Sequence, residues 1–277
     1  MILFLILLWE ISQRIDDECF SAQHPVYLAH DEQGALSNPF DRDFAGRKGS
    51  LAKLTHSLRV AYKELTCMKL AEGLYFYEES GFDPRLLLPD CNTYILKDEI
   101  TVLVDIGLEN FLPDLVREMQ KDGMDPKDVD VITNTHFHTD HCQANEAFRK
   151  VSEAKFMIYD KAKKYLPNGL KTNLVFTEKL KLNNTSLEIL HTPGHTPESI
   201  CIYWPDKKAL ICGDLIFLHG VGRTDLGGDP ELLRQSIRHV SKLDVEILLP
   251  GHGEVLRGKE SVVENFYYIE TKILPYL

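Results

Sequence analysis

The sequence predicts an α/β fold whose functional groups lie along one edge of a two-sheet core. Two observations predict it. Four short apolar runs each lead to an imidazole or a carboxylate: residues 129–134 run to His136, 187–190 toward His195, 209–213 to Asp214, and 245–249 toward His252. Between them, Leu112, Leu115, Val116 and Met119, and later Leu232, Leu233, Ile237 and Val240, recur at the three- and four-residue spacing of buried helix stripes. Polar residues at strand ends suit a site, because loops there can be shaped without disturbing the packing beneath.

Taken in order, residues 1–9 form an unbroken apolar run, far short of the ~20 residues of a membrane span. It lacks the basic start and small-residue cleavage site of a signal peptide. It reads as an element packing on the main domain or on a second subunit, or as a membrane- or partner-binding arm. Residues 22–49 are polar and rich in Pro and Gly, and read as loop. Ser50 is placed to cap a helix over 51–65, with Leu51, Leu54, Leu58, Tyr62 and Leu65 on one stripe. Residues 1–66 are therefore read as an N-terminal extension, a candidate homodimer contact, and 67–277 as the catalytic domain. Strands are expected over 74–78, 91–96, 101–105 and 155–159, with an apolar loop at 79–90. A helix is expected over 142–150, a helical turn over 160–165 and extended chain over 174–182. Asp125-Pro126 and Asp229-Pro230 are helix starts, because Pro fits the first turn. A last helix spans about 259–273.

Residues 136–141, His-Phe-His-Thr-Asp-His, carry the chemistry. His136 and His138 are two apart and face one side in extended backbone. Asp140 and His141 lie past the bend and aim at a second nearby point. Imidazoles and a carboxylate at this spacing suit first-row metals. His195 follows a Pro-Gly turn, Asp214 ends an apolar strand, and His252 follows Pro250-Gly251. His191 lies on the strand before the turn and reads as structural. His219, near the end of the Asp214 strand, is a candidate substrate contact or a solvent-facing residue.

The order H-x-H-x-D-H, T-P-G-H-T, G-D, P-G-H-G resembles the metallo-β-lactamase fold superfamily. The segment 220–229, Gly-Val-Gly-Arg-Thr-Asp-Leu-Gly-Gly-Asp, resembles its glyoxalase II-like and lactonase-like hydrolase branch. The resemblance implies an αββα sandwich with two divalent metal ions, Zn first, with Fe, Mn or Co as alternatives. It implies that His136, His138 and His195 hold the first ion, that Asp140, His141 and His252 hold the second, and that Asp214 bridges them. It implies a metal-bridging hydroxide attacking a carbonyl, with Asp140 also orienting the attacking water. The substrate implied is a small lactone, carboxylic ester or thioester. Aspartate at 214 separates the chain from β-lactamases of the superfamily that carry Cys or Ser there, and His138 separates it from the flavodiiron branch. Glyoxalase II adds a C-terminal helical domain that is expected to be missing after His252. An Arg223–Asp225 pair is expected to hold its loop.

The 44% apolar composition supports a sizeable core. The net charge of −11 argues against nucleic acid as a partner. Cys19, Cys67, Cys91, Cys142, Cys201 and Cys212 include no C-x-x-C pair, which fits a reducing, cytoplasmic setting. Cys142 reads as a packed thiol at a helix start or as a neighbour of the metals. The competing functions are a mono-iron persulfide dioxygenase-like enzyme, a phosphodiesterase, weak β-lactamase activity, and a non-catalytic metal-binding protein.

Overall fold

The computed structural model describes residues 67–182 and 184–277. The expectations for 1–66, including the dimer contact, lie outside the described residues.

Seven strands follow in chain order across the first sheet: β1 (Cys67–Ala71), β2 (Leu74–Tyr77), β3 (Thr93–Lys97), β4 (Thr101–Val104), β5 (Val131–Thr133), β6 (Lys155–Tyr159) and β7 (Leu174–Phe176). The first four pair antiparallel and the last four run parallel. The second sheet holds β8 (Lys179–Lys181), β9 (Ser186–His191), β10 (Ile200–Trp204), β11 (Ala209–Gly213), β12 (Ile247–Pro250) and β13 (Leu256–Arg257), again in chain order. Only β11 and β12 pair parallel there.

Parallel neighbours need a crossover, and the apolar stripes supply it. Helix α1 (Leu112–Lys121) links β4 to β5. Helices α2 (Thr139–Cys142) and α3 (Asn145–Ser152) link β5 to β6. Helix α4 (Pro230–Val240) links β11 to β12, and α5 (Lys259–Tyr268) follows β13. The Asp229 carboxylate accepts from the Glu231 and Leu232 amides, a cap that contributes about 1 kcal/mol.

Three apolar layers result. Leu74, Phe76, Tyr94, Leu96 and Val104 meet Leu187, Ile189, Ile202, Trp204 and Ile211 between the sheets. Ile95, Leu103, Ile132 and Phe156 face α1 and α3 through Leu115, Met119 and Phe148. Tyr203, Leu210, Cys212 and Leu248 face α4 and α5 through Leu233, Ile237, Val240 and Val262. This is the αββα sandwich. Cys201 and Cys212 are buried within the last layer, as small apolar residues.

Two stretches differ from expectation. The single helix expected over 142–150 is two helices, because the chain first makes the short turn α2, which turns Asp140 and His141 inward. The extended chain at 174–182 is two strands on different sheets, for Phe176 and Leu180 are both needed in the inter-sheet core. No helix among the described residues is long and apolar enough to cross a membrane.

Candidate metal centre

Four strands deliver the site at their C-terminal ends. β5 opens onto His136 and His138, then α2 carries Asp140 and His141. The turn after β9 carries His195, β11 ends before Asp214, and β12 ends before His252. All seven side chains meet. His138 Nδ1 lies 3.1 Å from His136 Nε2 and 2.9 Å from His195 Nε2. His252 Nε2 lies 3.2 Å from His141 Nε2 and 3.3 Å from Asp140 Oδ2. Asp214 stands between these groups, 3.4 Å from His195 Nε2, 3.3 Å from His141 Nε2 and 3.6 Å from His252 Nε2.

The outer nitrogens set the tautomers. His141 Nδ1 donates to Asp105 Oδ2 at 3.0 Å, and His195 Nδ1 donates to the Arg223 carbonyl at 2.7 Å. His252 Nδ1 faces Glu79 Oε2 at 3.3 Å. Thr135 Oγ1 donates to Asp105 Oδ2, so it accepts from His136 Nδ1 at 3.1 Å. With the outer N–H of these four rings engaged, each ring in its neutral form presents an Nε2 lone pair inward, the arrangement that fixes a metal-ligating imidazole.

The donor set fits divalent cations. Lone pairs facing one another at about 3 Å repel unless a cation sits among them. Asp214 Oδ1 is buried and has no hydrogen-bond partner. Burial first, then the neighbouring His195, holds His138 down to about 4, so its ring is a neutral donor at neutral pH. His252 behaves oppositely: against burial, the Asp214 charge and the bonds to Asp140 and Glu79 raise it to about 10. The carboxylates thus draw positive charge onto the cluster, and a bound cation would supply it in place of the proton. Gly251 makes room for this approach, since a Cβ there would come 2.2 Å from Asp214 Oδ1 and 2.7 Å from His141 Cε1.

A frame of buried groups holds the ligand loops. Asn92 Nδ2 donates to the Pro250 and Gly253 carbonyls, and the Tyr94 hydroxyl donates to Pro250 as well. Asp105 also accepts from the Thr135 amide, with its own backbone left-handed at φ 55°. The Arg223–Asp225 pair forms within its loop, as expected, and positions the carbonyl that His195 uses.

The other sequence candidates sit outside the cluster. His191 donates Nε2–H to the Pro197 carbonyl. His219 is exposed at the tip of the hairpin Ile216–Phe217/Gly220–Val221, its ring 4.4 Å from Tyr268. Phe217, from the same hairpin, stands nearer the cluster, with its ring 6.1 Å from His252. Cys142 is a packed thiol that meets the Phe137 carbonyl, and burial pushes it up to about 12. Sequence reasoning missed Asp105 and Glu79. Asp105 carried a usable signal, an apolar strand ending on a carboxylate, as at Asp214. Glu79 carried none.

The chain is similar to known proteins. A probable metallo-hydrolase of Methanocaldococcus jannaschii is 35% identical over 185 residues, 59% of this chain and 88% of that protein. The hydroxyacylglutathione hydrolase of Nitrosococcus oceani is 33% identical over 136 residues, 48% of this chain and 49% of that enzyme. The chain thus spans about half the length of that relative. The crystal structure of the B3 metallo-beta-lactamase BLEG-1 superposes with a TM-score of 0.59, covering 73% of this chain and all of that one at 23% identity, a likeness of fold. A family model described as the metallo-beta-lactamase superfamily matches residues 88–252. That span contains all seven clustered residues and ends on the last of them, and the chain belongs to the metallo-beta-lactamase superfamily.

Proposed function

We propose that the chain is a binuclear metal-dependent hydrolase of a small lactone, carboxylic ester or thioester, in the glyoxalase II-like and lactonase-like branch. One observation carries the reading: Nε2 atoms of His136, His141, His195 and His252 and the Asp214 carboxylate converge while the outer ring nitrogens are engaged elsewhere. The relative named as a probable metallo-hydrolase supports metal-dependent hydrolysis, and the one named as a hydroxyacylglutathione hydrolase supports a thioester among the substrates.

In this reading His136, His138 and His195 would hold one divalent ion and Asp140, His141 and His252 the other, with Asp214 placed to serve both. Bound there, such ions supply Lewis acidity and lower the pKa of water from 15.7 toward ~7, giving a nucleophile at neutral pH. The protein's part is orientation. Asp105 and Glu79 hold the rings of His141 and His252 from behind, and the Arg223 carbonyl holds His195. Asp140, whose Oδ2 faces His252, orients the attacking water. The exposed side chains of Phe82, Leu86 and Leu87 lie in the loop that begins at Glu79 and offer apolar contact to a substrate. Zn is the first expectation for the metal, because imidazole and carboxylate suit it, with Fe, Mn and Co next.

The test is a panel of lactones, carboxylic esters and thioesters turned over by wild type and by His136→Ala. Hydrolysis of at least one class, lost in the variant and abolished by chelation, is the expected result. Faster turnover of bis-p-nitrophenyl phosphate than of every carbonyl substrate would replace the reading with a phosphodiesterase.

A further inference from the structure

A second feature occupies the same edge of the sandwich: a pocket of about 530 Å³ lined by none of the seven clustered residues. Topology places it beside them. β5 and β6 are parallel neighbours, ~4.8 Å apart as strands are. β5 leads into residues 136–141, and β6 leads into the 3-10 turn Asp160–Tyr165, which forms one wall. The loop that carries His195 also lines it, through Pro193 and Pro197 on either side of that residue. That loop is fixed: Gly194 packs so close to α4 that a Cβ would come 2.3 Å from the Leu233 backbone. Leu232, next in α4, lines the pocket and is 38% exposed.

The charge of this pocket contrasts with the chain's net −11. Lys161, Lys163 and Lys164 all line it. Asp160 pairs with Lys163 at 2.9 Å. Among the described residues no carboxylate pairs with Lys161 or Lys164; their ammonium groups lie over the Tyr159 and Tyr165 rings at 6.0 and 4.7 Å. Two lysines without acidic partners among the described residues thus share the lining with Pro193, Pro197, Leu232, Tyr165 and His191. The apolar members suit a hydrocarbon stem, and the ammonium groups suit an anion at its end.

We propose that this pocket is a subsite for an anionic group, a carboxylate or a phosphate, joined by an apolar stem to the hydrolysed ester or thioester. The inference rests on the hydrolase reading above. Charge-assisted bonds from lysine are the strong kind, and a flexible ammonium accepts either anion as a point charge. The anion can belong to the acyl half or to the leaving half of the substrate.

Two experiments test it. The first compares kcat/KM for butyryl-N-acetylcysteamine, a neutral reference, with succinyl-N-acetylcysteamine and butyryl-glutathione, in wild type and in Lys161→Ala/Lys164→Ala. Wild type is expected to prefer one anionic member by roughly tenfold or more, through KM, and the variant's preference to fall toward one. Preference for the succinyl member assigns the anion to the acyl half, and preference for the glutathione member to the leaving half. An equal ratio in both proteins overturns the proposal. The second titrates full-length protein with hexanesulfonate and follows the Leu232 methyl resonances. Saturable shifts in wild type, weakened roughly tenfold in the variant, support the subsite whether or not any thioester is turned over. Absence of shifts in wild type overturns it. Shifts without hydrolysis of any substrate would instead overturn the hydrolase reading.

Discussion

Asp214→Asn is expected to lower hydrolysis roughly 10³-fold, about 4 kcal/mol of transition-state stabilisation, with the fold retained. The reason is its place. Asp214 is the carboxylate that approaches histidines of both groups, within 3.4 Å of His195 and His141 and 3.6 Å of His252. Its Oδ1 is buried without a hydrogen-bond partner, so no packing bond of that oxygen is lost in the variant. An amide keeps the shape but removes the charge and points one N–H among lone pairs. Circular dichroism and the thermal midpoint should stay near wild type while turnover of the best panel substrate falls. Turnover within threefold of wild type would remove Asp214 from the mechanism.

Asp105→Ala is expected to weaken metal affinity and activity by about 10- to 100-fold, although Asp105 is outside the proposed ligand set. Its carboxylate accepts from His141 Nδ1, the Thr135 amide and the Thr135 hydroxyl, and through that hydroxyl it also reaches His136. Truncation leaves buried donors unsatisfied, so stability is expected to fall by about 2 kcal/mol or more as well. Asp105→Asn separates the effects, since it preserves volume and one acceptor. Competition against a chromogenic chelator measures the affinity. An unchanged affinity in Asp105→Ala would show that His141 needs no partner behind it.

The contrast between Asp214 and Asp105 shows what the sequence could reveal. Asp214, His195 and His252 were legible because each follows an apolar run, and because three histidines crowd residues 136–141. Such patterns are local along the chain. The partners behind the rings are set by tertiary contact: Glu79 reaches His252 across 173 positions, and Arg223 serves His195 through a backbone carbonyl that any residue type offers. Strands and helices were legible from the short apolar runs and the helix stripes, whereas the αββα order of layers was legible only through the resemblance of the four motifs to a known superfamily. The switch of sheets between β7 and β8 was not, because one continuous extended stretch serves either sheet equally well until the partner strands are known. The split between α2 and α3 escaped for a similar reason, since Asp140 and His141 are turned inward by the site rather than by an apolar stripe. The lysine pocket was invisible too: a Lys-rich turn after a strand is ordinarily a solvated surface, and its meaning comes from the strand beside it.

The most direct measurement of the central reading is metal content per chain by elemental mass spectrometry, on wild type and on His136→Ala, beside the hydrolysis panel. Close to two divalent ions per wild-type chain, with hydrolysis lost along with metal in the variant, is the expected result. One iron per chain and no hydrolysis would contradict it, and His141 and His252 would then leave the ligand set.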